Sequence, residues 1–464
     1  MTLTTALARW VDECSLATLS PDTVTNAKMH ILDGIGVGLD ASTLEPLFDP
    51  MIGIVQRWGG DGPASVYGKP FGLPARYAAF ANSIMMISSA YQETHRASVG
   101  HPYSPILSSA LAISEERGAT GTDFIAAIVA GYEVFVRMAT AMNPSALHRG
   151  IQTTGACAPF GAAVVAAKLM HLDGDQIRHA INHAGNFGGA ALVEAHGATP
   201  YYAVHLGPNT MKGIYAAELA AAGVPGSDTI LEGGGTSAKG FLQAYSDEFD
   251  TDIIRNGLGS RLGIEDTGFS FHCVASYSRT TIDALLWLMR EHQLDADNIQ
   301  RIEVKLTEAL INFVNDRGQF SGKGDRQAHY FVPLHMALTV VHGWVDSAML
   351  TDETFNDPLI KSLIARVTVA ADPELDADFA ANKAVTAAIV EVTTTDGRTV
   401  RRRQDVWHGD PADPATLEEI QEKFRRIAGR VIGVDAAEEA IRLVSGLEAL
   451  SDVRPLARLI RKEA

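Results

Sequence analysis

GPASVYGKPFGLPARYAAFANSIMMISSAYQETHRASVGHP, residues 62–102, carries the reading of the whole chain. Two Gly/Pro turns bracket a short strand-like piece, and a run of small apolar residues at helical spacing follows. The run then breaks into a polar string that holds Glu93, Thr94, His95, Arg96 and His101. Titratable groups gathered where a buried helix ends suit acid-base chemistry, because burial and neighbouring charges tune their pKa values. In His101-Pro102 the proline biases the histidine backbone towards an extended conformation, which fixes how it leaves the loop. An imidazole is a base of suitable ordinary pKa, yet a lone histidine read from spacing is more often structural, and both readings stand on these residues alone.

At 464 residues and 49.6 kDa the chain exceeds the size at which one hydrophobic core stops growing, so two domains are expected. A hydrophobic fraction of 46% against 20% charged, with 42 glycines, predicts an ordered chain of closely packed helices. Acidic residues outnumber basic ones, 55 to 38, and the net charge of −17 disfavours nucleic acid and anionic membrane as partners. The basic runs at 401–403 and 458–462 are short and read as solvated faces. Cys14, Cys157 and Cys273 lie far apart without CxxC spacing, which argues against a disulfide framework or zinc site and fits a reducing, cytoplasmic setting. The first helix carries Arg9, Asp12 and Glu13, unlike a secretion signal, and the nearly uncharged stretch 155–167 is too short to span a bilayer. A soluble protein is the expectation.

Apolar spacing is mostly helical as far as residue 244, and several of these segments end in glycine. Beyond Asp283 the pattern changes. ALLWLMREHQL reads as a helix, IQRIEVKLTEALINFV and ARVTVAAD as β-rich runs, and residues 387–406 as a hairpin turning at Asp396-Gly397. Past Gly409 the chain returns to helix, opened by Thr416 as N-cap with Glu418 and Glu419 in the first turn. The organisation predicted is mainly α: a large, discontinuous helical domain over 1–268 and 408–464, with a smaller α+β lid domain inserted at 269–407.

Cofactor and nucleophile motifs fail on inspection. Gly34, Gly36 and Gly38 lack a preceding strand and the dinucleotide spacing, so they read as helix packing. EGGGTSAKG lacks the Lys-Ser/Thr pair of a P-loop, and no G-x-S-x-G occurs. His179 and His183 share a helix face, within reach of His171 or His196, but no glutamate accompanies them, and they read as structural or surface histidines. No metal and no cofactor are expected.

The opening stretch resembles the MmgE/PrpD family, whose members carry GPATV-LG, AAFANGAAAHALDFDDTH and a following His-Pro. The resemblance extends through AGYEVFVR at 130–137, GACAPFGAAVVAAKLMHLDGDQ at 155–176, LEG at 231–233 with GFLQAY, IDA at 282–284 and GDPADPATLEEIQEKF at 409–424. It implies an all-helical domain with a small α+β lid, an active site between them, and chemistry without metal or cofactor on small carboxylates. Members include 2-methylcitrate dehydratase, cis-aconitate decarboxylase and iminodisuccinate epimerase. Together with the large apolar content it also points to a homodimer.

Matched residue by residue, Thr94 keeps the family threonine, Glu93 stands for the last aspartate of the motif, and His101 is similar to the catalytic histidine before proline. Ala90 and Gln92 replace the other two aspartates, Gln152 an active-site histidine, Tyr202 a lysine, Arg279 a histidine and Val332 a tyrosine, while His205 and Gly207 are kept. The resemblance thus implies a lyase, a dehydratase or decarboxylase, that abstracts a proton alpha to a carboxylate or carbonyl of a small organic acid. His101 would be the general acid or base, Thr94 would orient the substrate and Tyr202 would be a second proton donor. Gln152 and Arg279 would hold a carboxyl or carbonyl group, with Lys212, Glu93 and His272 as further substrate-binding candidates. An isomerase or epimerase, needing two proton-transfer groups and no leaving group, is the alternative, and a catalytically silent binding protein is a third reading.

Overall fold

Ser20 and Pro21 open the helix that contains the glycine run. In the computed structural model the Thr23 N–H donates to the Ser20 hydroxyl at 3.0 Å, and Pro21 sits in the first turn, where its missing N–H costs nothing. The structure describes residues 1–462 apart from 190, 194–201, 236, 316–325, 382 and 384–385; the side chains of 45–47, 202, 313–315 and 326–327 also lie outside the description. Gly34, Gly36 and Gly38 fall inside the Pro21–Ser42 helix. A Cβ at Gly34 would meet Leu107 at 2.6 Å, one at Gly36 would meet Phe424 at 2.9 Å, and one at Gly38 would collide with the Tyr67 ring. The glycines therefore serve close packing.

The chain divides into two compact units, Met1–Thr267 with Thr416–Ala464, and Gly268–Ala415. The first is mainly helical. Thr153–Leu169 is its central helix, packed against Gly121–Met142, Leu206–Ala221 and Tyr103–Arg117. Among the described residues Gly121–Met142 is the one helix long and apolar enough to cross a bilayer, and 89% of its apolar stretch is buried inside the structure.

Within the opening stretch, Ala64–Ser65 pairs antiparallel with Gly72–Leu73 and the helix Ala75–Ser88 follows. Asn82 of that helix donates to the Ser65 carbonyl at 2.9 Å and accepts from the Tyr67 N–H at 3.0 Å, so one buried amide holds the strand piece to the helix. The C-terminal segment belongs to this unit too. Thr416 and Glu419 form a capping box at the start of Leu417–Ile432, which packs on Pro21–Ser42. There Lys423 meets Asp33 at 2.6 Å, both side chains 1% exposed, and the ammonium lies 5.1 Å from the centre of the Tyr91 ring.

The second unit is α+β. Its four-stranded sheet runs in the order Val367–Ala371, Ile299–Leu306, Ala388–Thr394, Thr399–Gln404, with the first pair parallel and the others antiparallel. Asp396-Gly397 makes the hairpin turn, and Gly397 supplies the positive φ of 88° that the turn requires. Ser276–His292 packs on this hairpin, where Arg402 lies 4.5 Å from the centre of the Trp287 ring. The run 299–314 is a strand only as far as Leu306; Glu308–Asn315 is a helix, because the Thr307 hydroxyl accepts from the Leu310 N–H and Asp376 accepts from the Glu308 N–H.

The buried Asp33–Lys423 pair yields a test. Lys423→Ala leaves a carboxylate buried without its cation, and urea unfolding is expected to show a loss of about 3–5 kcal/mol. The double variant Asp33→Asn, Lys423→Met should recover much of that loss; equal losses in both variants would contradict the pairing.

Candidate active site

Glu93 sits at 0% exposure in the loop after the Ala75–Ser88 helix. Its carboxylate accepts from the Tyr103 N–H at 2.6 Å and from the Tyr132 hydroxyl, which lies 2.8 Å from each oxygen, while His30 Nδ1 lies 2.6 Å from Oε2. Burial pushes the Glu93 carboxyl up, against the opposing pull of His30. Burial and the adjoining Glu93 charge raise the Tyr132 phenol, which keeps it a neutral donor. The Glu93 carboxyl, expected from the sequence as a substrate-binding candidate, is thus met by Tyr103, Tyr132 and His30 inside the helical unit.

The backbone of the same residue reaches His101. The Glu93 carbonyl lies 2.5 Å from His101 Nδ1, and since a carbonyl only accepts, Nδ1 carries a hydrogen. His101 is half-buried, and its N–H donates to the Thr154 hydroxyl at 3.1 Å. Between the two residues the chain makes a tight turn in which His95 and Gly100 exchange backbone hydrogen bonds. Val99 stands at φ 47°, a conformation a β-branched residue adopts only when its surroundings force it. Thr153 does so, its hydroxyl lying 2.9 and 3.0 Å from the carbonyls of Ser98 and Val99. His95 is buried, accepts from the Ser98 N–H, and is pushed down to about 4 chiefly by desolvation, so it is a neutral structural histidine. Thr94, 9% exposed, lies between Glu93 and His95.

The start of the Thr153–Leu169 helix thus forms one wall around His101, and Gln152 is its N-cap. Gln152 Oε1 accepts from the Gly155 N–H at 2.6 Å, which commits the carbonyl half of the side chain to capping the helix. A Cβ at Gly155 would meet the His205 ring at 2.5 Å, so His205 packs at this same helix end. The backbone of Tyr202 forms the first residue of the Tyr202–His205 turn, but its side chain lies outside the described ones. Lys212 donates to the Gly188 carbonyl at 3.3 Å and to Asn209 Oδ1 at 3.2 Å, and desolvation lowers its pKa. The structure therefore joins Glu93 to His101 and His101 to Thr154, two residues after the Gln152 cap, and holds Lys212 by contacts of its own, about 10 Å along the helix from His205 at 1.5 Å per residue.

Arg279 and His272 belong to the second unit. Arg279 is 2% exposed on Ser276–His292, its guanidinium 5.3 Å from the centre of the Trp407 ring. His272 accepts from the Val345 N–H at 3.3 Å, and its Nε2 lies 4.0 Å from Asp283. Asp283 accepts from the His408 N–H at 2.7 Å and is raised to about 6, chiefly by burial. Val332 begins the buried Val332–His342 helix. Among the described residues no group of three or more His, Cys, Asp or Glu side chains forms a metal cage. His179 accepts from the Gly226 N–H, and His183 bonds the Val224 carbonyl. Cys14 and Cys157 are buried thiols whose pKa values burial raises, Cys14 to about 11.

Comparison with known proteins agrees with this architecture. The MmgE/PrpD N-terminal domain matches residues 5–254 and the MmgE/PrpD C-terminal domain residues 272–449. The chain belongs to the MmgE/PrpD family. It is similar to cis-aconitate decarboxylase of Mus musculus, 25% identical over 96% of this chain and 90% of the relative. The Homo sapiens cis-aconitate decarboxylase is 25% identical over 99% and 94%, and that of Aspergillus terreus 24% over 99% and 96%. For this MmgE/PrpD protein, sequence reasoning missed His30, Tyr132, Thr154 and Asp283. Asp283 was legible only as the aspartate of IDA, and nothing in the spacing of residues 30, 93 and 132 announces that they meet.

Asp283 gives a pH prediction. A carboxyl whose folded pKa lies above its ordinary value binds its proton more tightly when folded, so its stabilising contribution is full below about pH 3.8 and is lost as pH rises to about 6. Wild type is therefore expected to lose stability relative to Asp283→Asn between about pH 4 and 6, with the difference constant above about pH 7. Parallel urea-midpoint profiles would contradict the shift.

Proposed function

We propose that this protein is a lyase acting on a small di- or tricarboxylate, with His101 Nε2 as the atom that moves the proton. The observation that carries the reading is the held ring: Nδ1–H is committed to the Glu93 carbonyl, which directs basicity to Nε2 on a residue that is half-buried rather than enclosed. The full-length similarity to cis-aconitate decarboxylases supports the substrate class.

In a dehydration, Nε2 takes a proton from the carbon alpha to a carboxylate, and the electron pair forms the double bond as hydroxide leaves and is protonated to water. In a decarboxylation, the electrons of the breaking C–C bond pass to the remaining carbon skeleton as carbon dioxide departs, and that carbon takes a proton from Nε2 of an imidazole that water has protonated beforehand. Either course needs a carboxylate anchored beside the ring. The Gln152 NH₂ and the positive end of the Thr153–Leu169 helix dipole favour a negative group there, and Thr94 orients it. Tyr202 serves as the second proton donor, with Lys212 as a further ligand for carboxylates. The replacement of family aspartate, histidine and lysine by Ala90, Gln152 and Tyr202 predicts a substrate other than that of the relatives.

The test is an NMR screen in D₂O against hydroxy-, amino- and unsaturated di- and tricarboxylates. Solvent exchange with a new vinyl product is expected, and His101→Ala should lower turnover by about 10²-fold or more. Exchange without a new product would replace the lyase by an epimerase, and unchanged turnover in His101→Ala would remove His101 from the chemistry.

A further inference from the structure

We infer that Glu93, clamped by Tyr132 and His30, is a positioning residue that sets the tautomer and direction of the His101 ring from inside the helical core. The consequence for catalysis rests on the reading of His101 as the proton-transfer group; the consequence for the ring itself does not.

Residue 93 is bonded through every part. Its carboxylate takes the Tyr103 N–H, the Tyr132 hydroxyl and the close approach of His30; its own N–H donates to the Tyr103 hydroxyl at 3.2 Å; its carbonyl takes His101 Nδ1–H. Glu93 and Tyr103 are thus joined twice, side chain to backbone in each direction, which closes the base of the loop that carries His101. These bonds hold the Glu93 peptide plane with its carbonyl towards the His101 ring. Above this base the His95–Gly100 pair and Thr153 hold the turn at Val99 in a backbone conformation it would not choose alone.

The clamp has contributions from every element packed against it. Pro21–Ser42 brings His30 and, one turn on, Asp33, whose charge adds to the rise of the Tyr132 phenol. Gly121–Met142 brings Tyr132, whose ring lies 5.5 Å from that of His30. Leu417–Ile432 brings Lys423, paired with Asp33 and set over Tyr91, two residues before Glu93. A network built only for stability would need no carboxylate here, because an apolar packing of similar volume is often as stable as a buried ionic group. What a carboxylate adds is several acceptor positions in fixed directions.

The experiment uses the full chain with ¹⁵N-labelled histidine, assigning the His101 ring signals by their loss in His101→Gln. Wild type is expected to show a single Nδ1–H tautomer at His101. Tyr132→Phe, which removes one hydroxyl with little change of volume, and Glu93→Gln, which replaces one acceptor oxygen by an amide NH₂, are expected to give mixed tautomers while circular dichroism stays that of the folded protein. On a substrate found by the carboxylate screen, both variants should lower kcat by roughly tenfold or more with KM little changed, the cost of a misdirected catalytic group. If Glu93→Gln does not fold, Tyr132→Phe decides alone. An Nε2–H or mixed tautomer in wild type overturns the inference, as does a folded Tyr132→Phe that keeps the pure Nδ1–H form. Absence of turnover on every carboxylate counts against the lyase reading only, because the ring tautomer is read without substrate.

Discussion

A carboxylate with no access to water has to be satisfied wholly by the protein around it, and at Glu93 that requirement organises the helical unit. An uncompensated buried charge costs several kcal/mol, so the groups that meet it are not interchangeable with ordinary packing. Tyr132 comes from one helix, His30 from another, and Tyr103 from the start of a third. Displacing any of these helices would open the carboxylate, and through its carbonyl the His101 ring would move as well. The loop is irregular in backbone yet determined in position.

The same logic explains why the chain closes on itself. Leu417–Ile432 is separated from Pro21–Ser42 by most of the sequence, and its amphipathic face alone would allow it to pack on many surfaces. The Lys423–Asp33 pair allows one register, because any other leaves two charges buried without partners. Phe424 lies against Gly36 one residue away, so the glycine supplies the space and the ion pair supplies the alignment. Close approach and electrostatic specificity act at the same contact.

Chemistry and scaffold are divided differently from what residue types suggest. Glu93, Gln152 and His95 all look like reactive groups in the sequence, and each has a structural commitment: the first inside the core, the second as a helix cap, the third as an acceptor in a tight turn. His101 is the member of the string whose ring is held at one nitrogen by a backbone carbonyl while the residue remains half-buried. In the second unit Asp283 is the parallel case of a carboxyl perturbed mainly by burial, with Arg279 and His272 near it in the chain and in space.

Much of this was legible from residues alone. The Ala75–Ser88 helix, the hairpin at Asp396-Gly397, the Thr416 cap and the glycine run as packing follow from spacing and turn chemistry, which act over a few residues. The strand that stops at Leu306 was not legible, since its end is decided by Thr307 and by an aspartate some seventy residues on. The sequence by itself determined the helical character of the first unit and the α+β character of the second, the family and the histidine before proline, because these rest on local patterns. Only the tertiary structure decided that Glu93 faces inward, that His30 and Tyr132 hold it, and that His101 carries its hydrogen on Nδ1. Those facts depend on contacts between residues far apart in the chain, and no local preference encodes them.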